Sequence, residues 1–176
     1  LEIEFPNALI IPEGGTNELA LKGIQHLLNS DTKSFDYLCT AVGTGGTVAG
    51  ISRFAEGNQK VLGFKVVDDH PLNDSVLKLS ERNNFELIEA HDGSYGKITD
   101  ENIRFINDFS EKFGIQLEPI YTGKMMKKVF ELIEGSYFPE NSKILAFHTG
   151  GLQGIEGANK MLRKQKRDLI INRNAL

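Results

Sequence analysis

The sequence is poor in several features that mark particular classes of protein. It has one cysteine in 176 residues, which excludes a disulfide framework, and Cys39 lies in a predicted buried strand, so a reducing, cytoplasmic compartment is expected. No apolar run approaches the length of a membrane span, and no metal site is predicted. The formal net charge is −4 and basic residues do not cluster on a predicted face, so neither a membrane nor a nucleic acid is an expected partner.

The length and the first residues bear on domain organisation. A chain of 176 residues is long enough for one sizeable domain with its own core, whereas two domains would be cramped. The opening Leu1-Glu2-Ile3-Glu4-Phe5 has no initiating methionine and resembles the interior of a longer sequence. We therefore expect a part of a longer protein, with one domain over residues 1–164 and a charged tail over 165–176 that forms a surface helix or a frayed end.

Strands and helices alternate along the chain, with no hairpin signal and no internal repeat. Strands are predicted at 8–11, 35–42, 61–67, 85–90 and 143–147, an extended segment at 115–120, and helices after residues 17, 47, 73, 100, 123 and 151. This order predicts an α/β fold, an open and mostly parallel sheet with helices on both faces. In such sheets ligands bind at the carboxyl ends of the strands, where four polar or small-residue loops are expected: 14–17, 43–47, 121–122 and 148–151.

The loop at 43–47 has the character of a phosphate cradle. It follows an apolar strand and opens a helix, so its glycines allow close approach of an anion while free N–H groups face it. Thr44 and Thr47 add hydroxyl donors. A Gly-Lys-Ser/Thr ending is absent, which disfavours a triphosphate, and Val48 stands where a dinucleotide fingerprint needs its third small residue. The remaining prediction is a smaller phosphate ester, most simply a monophosphate.

Four segments together resemble the large-domain motifs of one enzyme family. They are Pro12-Glu13-Gly14-Gly15-Thr16-Asn17, the run from Gly43 to Gly50, Glu118-Pro119-Ile120-Tyr121-Thr122-Gly123-Lys124-Met125 and His148-Thr149-Gly150-Gly151. The chain is similar to the 1-aminocyclopropane-1-carboxylate deaminase / D-cysteine desulfhydrase family, pyridoxal-phosphate enzymes with a tryptophan-synthase-β-like fold. The segment from Ser94 through Tyr95 to Thr99 also resembles this family.

The resemblance implies a set of site residues for pyridoxal 5'-phosphate and a small amino-acid substrate. Tyr121 corresponds to the active-site tyrosine beside the substrate, and Thr122 to the residue facing the pyridine nitrogen. The cofactor phosphate would be held by Thr44, Gly45, Gly46 and Thr47, and the ring bordered by Thr149, Gly150 and Gly151. Asn17 is interpreted as a helix cap only. A homodimer is also implied.

One departure from the family is large. The Schiff-base lysine, with the segment that holds the substrate carboxylate, belongs to an N-terminal part that this sequence does not contain. Lys124 follows a glycine at a helix start, where a solvated lysine is the ordinary interpretation, so it is not a substitute. The chain alone is therefore expected to be inactive, with the missing N-terminal part as its partner.

The residue at position 122 separates the reactions that the family resemblance implies. Deaminases proper are expected to carry glutamate there, whereas a threonine hydroxyl leaves the ring a weaker electron sink, which suits β-elimination with a thiolate leaving group. The predicted reaction is that of a D-cysteine desulfhydrase-like lyase, giving sulfide, ammonia and pyruvate. A 1-aminocyclopropane-1-carboxylate deaminase, a noncatalytic phosphate-ligand-binding domain and an NAD-dependent enzyme remain alternatives, the last disfavoured by the fingerprint.

Overall fold

A computed structural model describes residues 8, 10–67, 72–94 and 96–172. The opening residues 1–5 and Tyr95, both considered above, lie outside these described residues. The helices are α1 (Glu18–Ile24), α2 (Gly46–Phe54), α3 (Asn73–Ser80), α4 (Asp100–Phe113), α5 (Thr122–Glu134) and α6 (Gly154–Lys164). The strands are β1 (Tyr37–Val42), β2 (Lys60–Lys65), β3 (Phe85–Glu89) and β4 (Ile144–Ala146).

The four strands form one parallel sheet in the order β3-β2-β1-β4. Strand β1 is buried on both faces: Leu38 and Val42 pack with α1, α2 and α3, whereas Cys39 packs with α5 on the opposite face. Such two-sided burial is what a near-continuous apolar strand between helical layers requires. The predicted fold class, an open parallel sheet with helices on both faces, is confirmed.

Burial has the expected effect on the single thiol. Cys39 is fully buried, as predicted, and its desolvation raises the pKa of the thiol to about 12. An apolar pocket disfavours the thiolate, so the residue is a small core side chain rather than a nucleophile.

A third cluster of apolar side chains joins α4, α6 and the end of the chain. It comprises Ile98, Ile103, Ile106, Phe109, Leu117, Ile155, Leu162 and Ile170. Asn159 brackets the backbone of Ile170, donating to its carbonyl at 2.8 Å and accepting from its N–H at 2.9 Å. The predicted surface helix or frayed end is therefore wrong for residues up to 172, because residues 165–172 form no helix and the buried Ile170 with its two hydrogen bonds holds the segment to the core.

Two local predictions can also be compared with the structure. The described residues of the expected strand 8–11 are irregular, with Ile10 and Ile11 exposed, because no strand in the described chain pairs with them. The expected cap is confirmed, since Asn17 Oδ1 accepts from Ala20 N at 2.9 Å. Thr99 caps α4 in the same way, with its Oγ1 accepting from Asn102 N at 3.2 Å. No helix in the described part of the chain has both the length and the apolar character to cross a bilayer.

Candidate functional site

The parallel order of the sheet brings the loops after β1 and β4 together at one rim. Strand β1 leads into residues 43–47, and its neighbour β4 leads into 148–151. A pocket with a volume of about 300 Å³ lies between them. It is lined by Gly14, Thr16, Ala41, Val42, Gly43, Thr44, Gly45, Gly46, Thr47, Val48, Tyr121, Thr149, Gly150 and Gly151.

The glycine-rich loop presents the start of α2 to this pocket. Gly45 is the N-cap residue with φ of 90°, a conformation that glycine adopts without strain, and no side chain caps the helix. The first N–H groups of a helix have no carbonyl partner within it, and they carry the positive end of the helix dipole. Thr44 is exposed at the mouth of the loop. The arrangement can therefore hold an anion with backbone N–H groups and hydroxyls.

The segment before α1 packs directly on this loop. Thr16 Oγ1 and Thr44 Oγ1 are 2.7 Å apart, a hydrogen bond in which either hydroxyl can donate. A Cβ at Gly14 would overlap Thr44 Oγ1, and one at Gly46 would lie 2.7 Å from Thr16 Oγ1. Sequence analysis placed 14–17 at this rim but did not assign Gly14 or Thr16 to the site. The double glycine followed by a hydroxyl residue was the available signal.

Tyr121 borders the pocket from the start of α5. A Cβ at Gly43 would lie 3.3 Å from Tyr121 Cε1 and 3.7 Å from its hydroxyl oxygen, so the ring packs against the glycine-rich loop. The backbone N–H of Tyr121 donates to Glu118 Oε1 at 2.6 Å. The structure thus brings Tyr121 together with the predicted phosphate residues 44–47 and the predicted ring residues 149–151.

Thr122 does not line this pocket. It is fully buried; its hydroxyl accepts from Glu118 N at 3.1 Å and lies 3.3 Å from Glu118 Oε1. Glu118, which the sequence analysis named only as part of a motif and gave no role, is itself only 3% exposed. Its carboxylate accepts from the backbone N–H groups of residues 120, 121 and 122 and so caps α5. A glutamate just ahead of a helix start was the sequence signal for such a cap.

The expectation of a solvated Lys124 is wrong. The side chain is 2% exposed and lies against Asp92 in the loop after β3, away from the pocket. The loop after β3 covers this side chain. The first turn of α5 is also closely packed at Gly123, where a Cβ would lie 2.7 Å from both Glu118 O and Ile106 Cδ1. Desolvation lowers the pKa of Lys124, although Asp92 and Glu118 oppose this effect.

The fold and the pocket define a parallel α/β protein with an anion cradle at the carboxyl rim of its sheet. No family model matches the chain. It is 32% identical over 177 residues to the mitochondrial bifunctional D-cysteine desulfhydrase/1-aminocyclopropane-1-carboxylate deaminase of Arabidopsis thaliana, covering 88% of this chain and 44% of that protein. It is 27% identical to a putative 1-aminocyclopropane-1-carboxylate deaminase of Thermotoga maritima, covering 87% of this chain and 54% of the relative.

The structural comparison agrees with these relatives. A crystal structure of an ACC deaminase homologue superposes with a TM-score of 0.77 at 28% identity, over 92% of this chain and 56% of that one. The chain belongs to the 1-aminocyclopropane-1-carboxylate deaminase / D-cysteine desulfhydrase family of enzymes, with a tryptophan-synthase-β-like fold, and the family resemblance of the motifs is confirmed. The chain spans about half the length of the curated relatives it matches.

Proposed function

We propose that this chain is the cofactor-binding part of a pyridoxal-phosphate-dependent enzyme acting on a small amino acid. The observation that carries the proposal is the pocket itself, in which the anion cradle, Tyr121 and the rim 149–151 surround one space in a chain of this family. The uncapped start of α2 and the exposed hydroxyl of Thr44 fit a phosphate monoester. Gly14 and Gly46 fit it as well, since a side chain at either would crowd the cradle.

Each part of the pocket has a distinct role in this proposal. Bound pyridoxal phosphate supplies an electron sink for the bonds at the α-carbon of the amino acid. Thr44, Gly45, Gly46 and Thr47 bind the phosphate through hydroxyl and backbone N–H donors. Thr149, Gly150 and Gly151 border the ring and leave it room, since none carries a large side chain. Tyr121 orients the substrate with its phenol, held in place by packing against Gly43.

We propose that the Schiff-base lysine, the amine that binds the cofactor aldehyde, comes from outside this chain. Lys124 lies in a different cavity, buried against Asp92, and does not line the pocket. We therefore propose a longer enzyme, a homodimer, whose N-terminal part brings the Schiff-base lysine and the substrate-carboxylate segment to this pocket. Strand β4 is an edge of the sheet in the described chain, with partly exposed apolar residues, and offers that part a place to pair.

We propose further that the reaction is elimination of sulfide from D-cysteine. The family resemblance aligns position 122 with the residue facing the pyridine nitrogen, although Thr122 does not line the pocket of the described chain. This position carries threonine rather than glutamate, so it supplies no carboxylate to keep a ring nitrogen protonated. Glu118 does not replace it, because this residue does not line the pocket and its carboxylate is directed to three backbone N–H groups. The lysine of the N-terminal part would take the α-proton, and the C–S bond would break with departure of hydrosulfide. Addition of water to the resulting aminoacrylate would then release ammonia and leave pyruvate.

Cofactor binding can be tested on the chain itself. Titration with pyridoxal phosphate, followed by phosphorus NMR, should show saturable binding, because the cradle recognises the phosphate. Pyridoxal without its phosphate should compete poorly. Saturable binding of NADH, seen by its fluorescence, without binding of pyridoxal phosphate would overturn the proposal in favour of a dinucleotide enzyme.

The reaction is tested on the full-length gene product. We expect sulfide and pyruvate from D-cysteine, with turnover at least about tenfold above that on 1-aminocyclopropane-1-carboxylate, a difference of roughly 1.4 kcal/mol in transition-state stabilisation. Consumption of 1-aminocyclopropane-1-carboxylate with D-cysteine untouched would refute the elimination and leave the deaminase alternative.

A further inference from the structure

A second cavity, of about 100 Å³, lies where the loop after β3 meets α5. It is lined by Glu89, Ala90, His91, Asp92, Lys124, Lys127, Lys128 and Glu131. Most of these charges are paired at its mouth: Lys127 with Glu101 at 2.9 Å, and Lys128 with Glu131 at 2.9 Å. The interior of the cavity belongs to Lys124 and Asp92.

Lys124 and Asp92 are buried and incompletely satisfied. Their side chains are 2% and 15% exposed, and Lys124 Nζ lies 3.8 Å from Asp92 Oδ2. Neither atom has a hydrogen-bond partner within the described part of the chain. The other charged groups acting on Lys124 are Glu118, which attracts the ammonium, and Lys97, which repels it. His91 and Glu89 at the cavity pair with each other at 3.2 Å.

Such a pair is a poor source of stability. Removing an ammonium and a carboxylate from water costs several kcal/mol each, and a separation of 3.8 Å without a hydrogen bond does not repay that cost fully. A buried charge does, however, favour one position of the loop. The ammonium of Lys124 is compensated only when the loop places the Asp92 carboxylate next to Nζ. Lys124 stands one helical turn after Tyr121, so the loop and the tyrosine depend on the same turn of α5.

We propose that Lys124 is a positioning residue that docks the loop 91–94 on the first turn of α5 and thereby holds Tyr121 at the pocket. The inference rests on the proposed function in one respect, namely that Tyr121 orients the substrate at the pocket. It assigns Lys124 no contact with cofactor or substrate. The negative charge of Asp92 fixes the position of the docked loop relative to α5.

The experiment compares Lys124→Met, which keeps length without charge, with Lys128→Met on the same helix. We expect amide exchange of residues 91–94 and 121–123 to rise at least tenfold in Lys124→Met, with protection in β1 and β2 unchanged, and no change in Lys128→Met. In the unaltered chain the amide shifts of 91–94 should titrate with the lysine at alkaline pH. That titration should vanish in Lys124→Met. It should vanish in Lys124→Arg as well, because a guanidinium stays protonated, but there the protection of residues 91–94 should be retained.

Unchanged exchange at 91–94, or equal loss of protection in β1 and β2, would overturn the docking role. Loop shifts that still titrate in Lys124→Met would overturn it as well. These readouts are taken without cofactor, so they are independent of the proposed function, which is tested by pyridoxal phosphate binding to the unaltered chain. Pyridoxal phosphate affinity in Lys124→Met should fall about tenfold, and unchanged affinity would overturn the link to Tyr121.

Discussion

Replacing Thr47 by aspartate should abolish pyridoxal phosphate binding while leaving the chain at least as stable as before. Thr47 lies in the first turn of α2 and lines the pocket. A carboxylate there favours the helix by about 0.3–1 kcal/mol. The same charge repels a bound phosphate by about 4 kcal/mol per unit charge at roughly 4 Å and an effective dielectric constant near 20. Affinity, measured by phosphorus NMR titration, should therefore fall roughly a thousandfold.

Thr47→Asn is the matched control for this prediction. It has the shape of aspartate without the charge, so affinity should stay within about tenfold of the unaltered chain, the value of one lost hydrogen bond. Thermal unfolding of both variants is followed by circular dichroism. Equal affinity in Thr47→Asp and the unaltered chain would mean that no anion binds at the start of α2.

Removing the Glu118 side chain should cause a large loss of stability. Its buried carboxylate accepts from the N–H groups of Ile120 at 2.7 Å, Tyr121 at 2.6 Å and Thr122 at 2.5 Å. Glu118→Ala leaves these donors, one buried and two part-buried, without their acceptor. At about 1–3 kcal/mol for each orphaned buried donor, partly relieved by relaxation, the free energy of unfolding should fall by about 4 kcal/mol in urea denaturation.

Two further variants are the controls for Glu118→Ala. Glu118→Gln keeps one acceptor oxygen and should lose about half as much. Glu134→Ala removes an exposed glutamate from the last turn of the same helix and should change the free energy of unfolding by less than about 0.5 kcal/mol. A loss below about 1 kcal/mol in Glu118→Ala would show that the start of α5 does not depend on this cap.

The sequence predicted the pocket better than the packing beside it. Glycines and hydroxyl residues in 43–47 and 148–151 follow apolar strands, and parallel strands end at one rim, so these loops could be placed together without coordinates. The burial of Thr122 and Lys124 could not be predicted, because it depends on how closely α5 packs on its neighbours, with Gly123 on Ile106 and Lys124 on Asp92. Composition at a helix start favours solvated lysines and does not indicate these contacts.

The ends of the chain illustrate the same limit. The apolar residues near 8–11 have strand propensity, but a strand also needs a neighbour to bond, and the described chain provides none. In the tail, the many charged residues predicted exposure and gave no indication that Ile170 is buried. Asn159, eleven residues earlier, holds the backbone of Ile170 with two hydrogen bonds. Short-range patterns predict elements, whereas contacts between distant segments decide which of them are formed.

The pairing of β1 with β4 has a consequence for synthesis on the ribosome. Asp36 Oδ2 accepts from the backbone N–H of Lys143, 107 residues later in the chain, just ahead of the rim formed by 149–151. At about 5–20 residues per second, roughly 5–20 s separate the emergence of these two sides of the pocket. The pocket is therefore incomplete until β4, the last strand of the described chain, and the rim after it have been made. The proposed phosphate ligand could be enclosed only after the ribosome has passed residue 151.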